Sequence, residues 1–203
     1  MARLLLIRHA PTAETGTRLT GRLPGVSLGE EGVGQAEATA KRLTGIKLRA
    51  IYSSPLERTW ETAQIVARSH GLEPVAHEGL LEVDYGAWAG RTLKSLYRLK
   101  AWRTVALTPS RMAFPGGESI ADAQRRAVAT CEELARRHGS DTIALVTHSD
   151  IIKAVVSHFL GQPLDLFQRI SVSPASVTVV DLPRQGFPSV LAVNTPGLDG
   201  VPA

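Results

Sequence analysis

Two arginines and two histidines follow short apolar runs at three separate places in the sequence. They are Arg8 and His9 after Leu4–Ile7, Arg58 shortly after Leu48–Tyr52, and His148 after Thr142–Thr147. A guanidinium fork matches the oxygens of a phosphate group. A neutral imidazole nitrogen can attack phosphorus and carry the phosphoryl group covalently. These residue types therefore indicate phosphoryl-transfer chemistry, provided that the fold brings them together.

The apolar runs are typical of strands buried on both faces of a parallel sheet. The carboxyl ends of such strands meet along one edge of an open α/β sheet, where ligands bind. The four cationic or titratable side chains should then share one pocket, in which a phosphate dianion would relieve their repulsion. Nearby arginine charge should keep His9 neutral and nucleophilic. We expect Arg8, Arg58 and a protonated His148 to hold the phosphoryl oxygens.

A departing alkoxide also needs a proton, and Glu82 is the candidate to supply it. It lies among apolar residues in Leu80–Gly86, where burial would raise its pKa and suit it to act as acid and then as base. The competing interpretation is a structural carboxylate that caps the turn. Asp150 and Asp84 are reserve candidates for the proton donor.

Strands alternate with helical patterns along the chain, which predicts an α/β fold with a mainly parallel sheet. Helices are expected over Gly29–Thr44, from a Ser53-Ser54-Pro55 start with a serine cap through Arg68, and over Leu93–Leu107, Glu118–His138 and Ile151–Leu160. Further β-rich runs are Ile170–Val172, Ser176–Leu182 and Val190–Val193. We find no linker, so we expect one domain over residues 1–195 and a frayed tail over 196–203.

Composition limits the classes of protein that fit. The chain has 203 residues, enough for one domain with a sizeable core,. No apolar run approaches the ~20 residues of a membrane span, and the N-terminal run does not resemble a signal peptide. The chain has a single cysteine, Cys131, and therefore cannot form an internal disulfide. Because disulfides are rare in the reducing cytoplasm, we expect a cytoplasmic location. The net charge of +4 suits either a small anionic substrate or nucleic acid,.

Five motifs in order resemble the histidine phosphatase superfamily, also called phosphoglycerate mutase-like. They are Leu6-Ile7-Arg8-His9-Ala10, Tyr52-Ser53-Ser54-Pro55-Leu56 with Arg58, Leu81-Glu82 with Gly86 and Trp88, Pro115-Gly116-Gly117-Glu118-Ser119, and Val146-Thr147-His148. The resemblance implies a three-layer α/β/α sandwich and no metal or organic cofactor. It implies His9 as the phosphorylated nucleophile, Glu82 as the proton donor, and Arg8, Arg58 and His148 as the phosphate pocket. It adds Thr20 and Gly21 near the phosphate, although a simple turn explains those two almost as well.

The sequence departs from the family pattern at two places. Ala10 replaces the usual glycine after the nucleophile, and Ser149-Asp150 replaces a common Gly-Gly after the second histidine. The interval between the Glu82 and His148 motifs is compact, and the tail is short and nearly uncharged. Both features favour a phosphatase of small phosphorylated metabolites over the alternative, a cofactor-dependent phosphoglycerate mutase.

Other interpretations of single residues remain open. Gly117-Glu118-Ser119 could shape a substrate rim, or Ser119 or Gly117 could simply start the next helix. Trp102 is expected to pack, whereas Trp88 could either pack or contact substrate. A nucleic-acid-binding module is a different class of hypothesis, but its helix arginines fall on several faces without interleaved aromatic side chains. We therefore expect a small phosphorylated substrate, no nucleic acid and no membrane partner, and the sequence leaves a homo-oligomer open.

Overall fold

Six strands form the central sheet of the protein, of which a computed structural model describes residues 2–197. The strands are β1 (Ala2–Arg8), β2 (Leu48–Ser53), β3 (Pro74–Ala76), β4 (Thr142–Thr147), β5 (Val177–Leu182) and β6 (Ser189–Thr195). Their spatial order is β3-β2-β4-β1-β5-β6. β4 is parallel to β1 and β2, and β3 is parallel to β2, whereas β5 and β6 are antiparallel to their neighbours. The predicted mainly parallel sheet is confirmed.

Helices cover both faces of this sheet. The α-helices of the described residues are α1 (Glu30–Leu43), α2 (Glu57–Arg68), α3 (Leu93–Leu96), α4 (Trp102–Leu107), α5 (Ile120–His138) and α6 (Ser149–Phe159). Leu5 and Ile7 of β1 belong to one core cluster with residues of α1 and α2. Leu4 and Leu6 belong to another with residues of α5 and α6. The two faces of β1 are thus both buried, which explains its uninterrupted apolar run and confirms the three-layer arrangement.

The single helix predicted over Leu93–Leu107 is wrong, because the chain breaks between α3 and α4. Leu96 and Val105 are both buried in the same core cluster. Nine residues of continuous α-helix make about two and a half turns, which would put these two side chains on opposite sides. The intervening turn corrects this, with Trp102 N–H donating to the Leu99 carbonyl at 3.0 Å.

Two further local predictions are wrong. The N-cap of α2 is Leu56, without a side-chain cap, so Ser53 and Ser54 do not begin the helix. Instead, Ser54 Oγ lies 3.0 Å from Nε2 of the His148 ring. The run Ile170–Val172 forms no strand.

The predicted frayed tail lies outside the described residues from position 198 onward. No helix within residues 2–197 combines the length and the apolar character that crossing a membrane requires.

Candidate active site

The carboxyl ends of β1, β2 and β4 lie side by side. β1 ends at Arg8 and is followed by His9, whose N–H donates to the Thr147 carbonyl of β4 at 2.9 Å. On the other side of β4, the Ser54 N–H that follows β2 donates to a β4 carbonyl at 3.0 Å. His148 follows β4 and is the N-cap of α6, which begins two residues earlier than predicted. Three parallel strands thus bring sequence-distant polar groups to one edge of the sheet.

The imidazole of His9 is held in one tautomer. Its Nδ1 lies 2.8 Å from the Ala10 carbonyl oxygen. Because a carbonyl only accepts, Nδ1 carries the proton and Nε2 keeps a free lone pair. Burial, together with the positive charges of Arg58 and Arg8, lowers the pKa of His9 to about 3. The ring is therefore neutral at pH 7, and its free nitrogen can act as a nucleophile.

Two guanidinium groups near His9 have donors without an acceptor. Arg58 is only 1% exposed, and its Nη2 donates to the Gly21 carbonyl at 2.7 Å. Arg8 donates from Nη1 to the Val172 carbonyl at 2.6 Å. The Nε atoms of both arginines and Nη1 of Arg58 are buried and find no hydrogen-bond partner within residues 2–197. Unsatisfied buried donors are costly, so the pocket favours an anion with several acceptor oxygens.

His148 is fully buried beside the same charges. Its Nδ1 lies 3.3 Å from Nη2 of Arg58, which can only donate, so the proton resides on Nε2 and points to Ser54 Oγ,. Burial, then the charge of Arg58, lowers the pKa of His148 well below its ordinary value. The ring is thus neutral without a ligand, whereas the protonated form expected from the sequence is that of the site with a phosphoryl group bound. Its centroid lies 5.3 Å from that of His9.

A carboxyl group lies close to this histidine pair. Glu82 Oε2 is 4.0 Å from His148 Nδ1, and Oε1 accepts from the Val83 N–H at 3.0 Å. Burial, and then the negative charge of Asp150, raise the pKa of Glu82 to about 7. Glu82 can therefore gain and lose a proton near neutral pH, as general acid–base catalysis requires.

The two reserve carboxylates are engaged elsewhere. Asp150 lines the same cavity as Glu82, but it accepts from the Tyr85 hydroxyl at 2.9 Å and from Lys153 Nζ at 3.4 Å. Asp84 lies outside the cavity lining, where it accepts from the Gly86 N–H at 2.9 Å. Its side chain is 42% exposed. Neither carboxylate is both free and directed at the histidine pair.

This group of side chains borders a cavity of about 360 Å³, although His148 is fully buried and does not line it. Its lining includes the predicted site residues Arg8, His9, Thr20, Gly21, Arg58 and Glu82. Trp102 stacks on the buried Trp88 with ring centroids 6.1 Å apart, so both pack, and Trp102 also lines the cavity. A larger groove of about 640 Å³, near the β5–β6 connection, is lined by neither His9 nor His148.

Comparison with known families accords with this geometry. The sequence model of the histidine phosphatase superfamily (branch 1) matches residues 4–195. The chain belongs to this superfamily.

Other members of the histidine phosphatase superfamily resemble the chain over most of its length. It is 32% identical to phosphoserine phosphatase 1 of Hydrogenobacter thermophilus, over 90% of this chain and 87% of that protein. It is also 32% identical to the 2,3-bisphosphoglycerate-dependent phosphoglycerate mutase of Thermoplasma acidophilum, over 88% and 86% of the two chains. The structure of a phosphoserine phosphatase variant of Entamoeba histolytica, in complex with phosphoserine, matches with a TM-score of 0.85 at 26% identity. The match covers 96% of this chain and 98% of that chain.

The sequence patterns of this histidine phosphatase did not predict one of its hydrogen-bond networks. Arg22 and Arg126 both donate to Glu118 Oε1 at 2.8 Å, behind the segment that carries Glu82. Glu118 does not line the cavity, so it forms no rim there, and Ser119 is the N-cap of α5. Arg22 and Glu118 lie 96 positions apart, and no local pattern marks such a contact.

Other chemistry-bearing side chains lie away from the cavity. Burial raises the pKa of the Cys131 thiol to about 12, so it is inert at neutral pH,. His138 Nε2 lies 2.8 Å from the Tyr52 hydroxyl, and His77 Nδ1 accepts from the Gly79 N–H at 3.1 Å. Among residues 2–197, no three His, Cys, Asp or Glu side chains are grouped as metal ligands would be.

Proposed function

We propose that this protein hydrolyses phosphate monoesters of small metabolites through a phosphohistidine intermediate on His9. The observation that carries the proposal is a neutral His9 with a free Nε2, beside buried donors of Arg8 and Arg58 that lack an acceptor. A phosphate dianion supplies those acceptors and offsets the arginine charge. Relatives named phosphoserine phosphatase support the same class of reaction.

In the first step, His9 Nε2 attacks phosphorus in line with the leaving oxygen. The N–P bond forms, the P–O bond to the alcohol breaks, and Glu82 gives its proton to the leaving oxygen. Arg8 and Arg58 stabilise charge on the remaining phosphoryl oxygens. The bound dianion also offsets the charge that disfavours protonation of His148, so this ring becomes a further donor.

In the second step, Glu82 acts as a carboxylate. It takes a proton from a water molecule whose oxygen attacks phosphorus, and the N–P bond breaks to release inorganic phosphate and neutral His9. A pKa of about 7 suits Glu82 to both directions of proton transfer,.

We assign Thr20 and Gly21 to the phosphate pocket, because they line the cavity and the Gly21 carbonyl fixes Arg58. We also propose that residues 1–195 act as one domain. The family match over residues 4–195 and the single six-stranded sheet support this.

The proposed partner is a small phosphorylated molecule, not nucleic acid. Four arginines near or on α5 already pair with carboxylates, which leaves less free positive charge for a polyanion. The pairs are Arg125–Asp122, Arg126–Glu118, Arg136–Glu132 and Arg137–Glu133. A cytoplasmic location agrees with Cys131 as a buried free thiol,.

Trapping of the intermediate tests the proposal. Alkaline quenching during turnover of p-nitrophenyl phosphate should recover acid-labile phosphate on His9. His9→Ala should abolish both the phosphorylated histidine and the turnover. His158 is an exposed histidine of α6, and His158→Ala should change neither. Turnover that persists in His9→Ala would contradict the mechanism.

A mutase remains the second candidate, because one relative carries that name. Mutase and phosphatase share the phosphohistidine and differ in the acceptor of the phosphoryl group. The parent protein should therefore be given 3-phosphoglycerate with and without 2,3-bisphosphoglycerate. Free phosphate as the main product supports the phosphatase, and isomerised product that depends on the bisphosphate supports the mutase.

A further inference from the structure

Glu82 lies at the end of a segment whose backbone is held by side chains from other parts of the chain. The four carbonyl oxygens of residues 79–82 each accept from such a side chain. The donors are the Thr147 hydroxyl at 2.7 Å, Arg126 Nη1 at 2.8 and 3.0 Å, and Arg22 Nε at 2.8 Å. Buried carbonyls need partners, but a full set supplied by side chains fixes this segment in one position.

Glu118 joins the two arginines of this set. Its Oε1 accepts from Arg22 Nη2 and Arg126 Nη2, each at 2.8 Å, and from the Asp84 N–H at 2.9 Å. These side chains are partly buried, with 30%, 24% and 19% exposure for Arg22, Arg126 and Glu118. A charge-assisted network of this kind is stronger and more directional than neutral hydrogen bonds.

Two glycines allow Glu118 to reach this position. A Cβ on Gly117 would lie 2.2 Å from the Asp84 carbonyl oxygen, and a Cβ on Gly86 would lie 2.2 Å from the Pro115 carbonyl oxygen. The turn at Gly86 and the turn at Gly117 are therefore in contact through their backbones. The Glu118 N–H then donates to the Asp84 carbonyl at 3.0 Å.

Arg22 also connects Glu82 with the phosphate pocket. It directly follows Gly21, whose carbonyl accepts from Arg58 at 2.7 Å. The loop that fixes an arginine of the pocket thus also holds the backbone of the proposed acid. Among residues 2–197, the Glu82 carboxyl itself accepts a hydrogen bond only from the neighbouring Val83 N–H. Its place relative to the phosphate consequently depends on how its backbone is held.

We propose that Arg22, Glu118 and Arg126 form a clamp that positions Glu82 for proton transfer to the leaving oxygen. The inference rests on the phosphatase function proposed above. None of the three residues lines the cavity, so they act through Glu82 and not on the substrate. A displacement of about 1 Å in a catalytic group can cost about 100-fold in rate.

The test compares two esters in Arg126→Met and Arg22→Met. An alkyl phosphate, chosen as the one that the parent hydrolyses fastest, needs a proton on its leaving oxygen, whereas p-nitrophenyl phosphate hardly does. We expect the ratio of kcat/KM for the alkyl ester to that for the aryl ester to fall about 10- to 100-fold in both variants. Arg125→Met is the matched control, since Arg125 is exposed and pairs with Asp122, outside the clamp. It should leave the ratio unchanged.

A double-mutant cycle separates positioning from general loss of structure. In a Glu82→Gln background, Arg126→Met should no longer change the ratio, because the group that it positions has no proton to give. Arg22→Lys, which keeps one charged donor, should recover part of the ratio lost in Arg22→Met. Equal loss with both esters, or an undiminished effect of Arg126→Met in the Glu82→Gln protein, would overturn the clamp. Failure of the phosphatase proposal looks different, because the parent itself would then hydrolyse neither ester.

Discussion

Asp150→Asn should move the pH dependence of hydrolysis by changing the pKa of Glu82. Burial is the largest cause of the raised pKa of about 7, and the negative charge of Asp150 is the next. Asparagine has the shape of aspartate and can still accept from the Tyr85 hydroxyl, which lies 2.9 Å from Oδ2. The substitution therefore removes a charge with little change in packing.

The size of the effect follows from the protonated fraction of Glu82. Removing one nearby like charge lowers the pKa of a carboxyl group by about one unit. At pH 7 the protonated fraction then drops from about one half to about one tenth. For an alkyl ester, kcat/KM should fall about fivefold at pH 7 and hardly change near pH 5.

The assay measures kcat/KM for an alkyl ester and for p-nitrophenyl phosphate in the parent and the variant, from about pH 5 to 9. The ratio of the two cancels pH effects on His9 and on the pocket, which both esters share. Because kcat/KM covers steps only up to the phosphoenzyme, the role of Glu82 as a base does not enter. The midpoint of the ratio should move to lower pH in Asp150→Asn. A midpoint that stays in place or rises refutes the electrostatic reasoning.

Four other substitutions test the energetics of the fold and site. Glu82→Gln should raise the free energy of unfolding above pH 7 by up to about 3 kcal/mol, because a carboxyl with a raised pKa destabilises the folded state as pH increases,. In urea unfolding the gain should vanish below about pH 4.5. Gly86→Ala, at φ +48° and against the Pro115 carbonyl, should cost at least about 1–3 kcal/mol, whereas Gly34→Ala in the exposed face of α1 should stabilise by up to about 1 kcal/mol,. Leu6→Ala should cost about 2–5 kcal/mol, and a loss below about 1 kcal/mol would contradict its place in the core,.

The strands that support the site could be predicted because burial on both faces requires a continuous apolar run, which is a local sequence pattern. Leu4–Ile7 is apolar without alternation, since one pair of side chains meets α1 and α2 and the other meets α5 and α6. The break between α3 and α4 has no such sequence pattern. It has neither glycine nor proline, and it exists because Leu96 and Val105 must enter the same core cluster.

The proximity of His9, Arg58 and His148 could be anticipated for a topological reason. Each follows or lies near the carboxyl end of a parallel strand, and such ends share one edge of the sheet. Two protonation states could also be anticipated, since nearby arginine charge predicts a neutral His9 and burial predicts a raised pKa for Glu82,. For His148 the sequence predicts the protonated form that holds phosphoryl oxygens, whereas complete burial favours the neutral ring when no ligand is bound. The clamp around Glu82 was missed because Arg22 lies 96 positions from Glu118, and no local sequence pattern marks the contacts of Arg22 and Arg126 with Glu118.

Burial acts on the two proposed catalytic groups in opposite directions, and this opposition gives the site its chemistry. It disfavours the charged form of whichever group it encloses, so it lowers the pKa of His9 to about 3 and raises that of Glu82 to about 7,. At neutral pH the histidine is thus an unprotonated nucleophile, while the carboxyl can still hold a proton, the reverse of their order in water. Arg58 reinforces the first shift and opposes the second. Asp150 adds to the shift of Glu82, so a charge that the usual Gly-Gly pair would lack helps to keep this carboxyl group protonated beside two arginines.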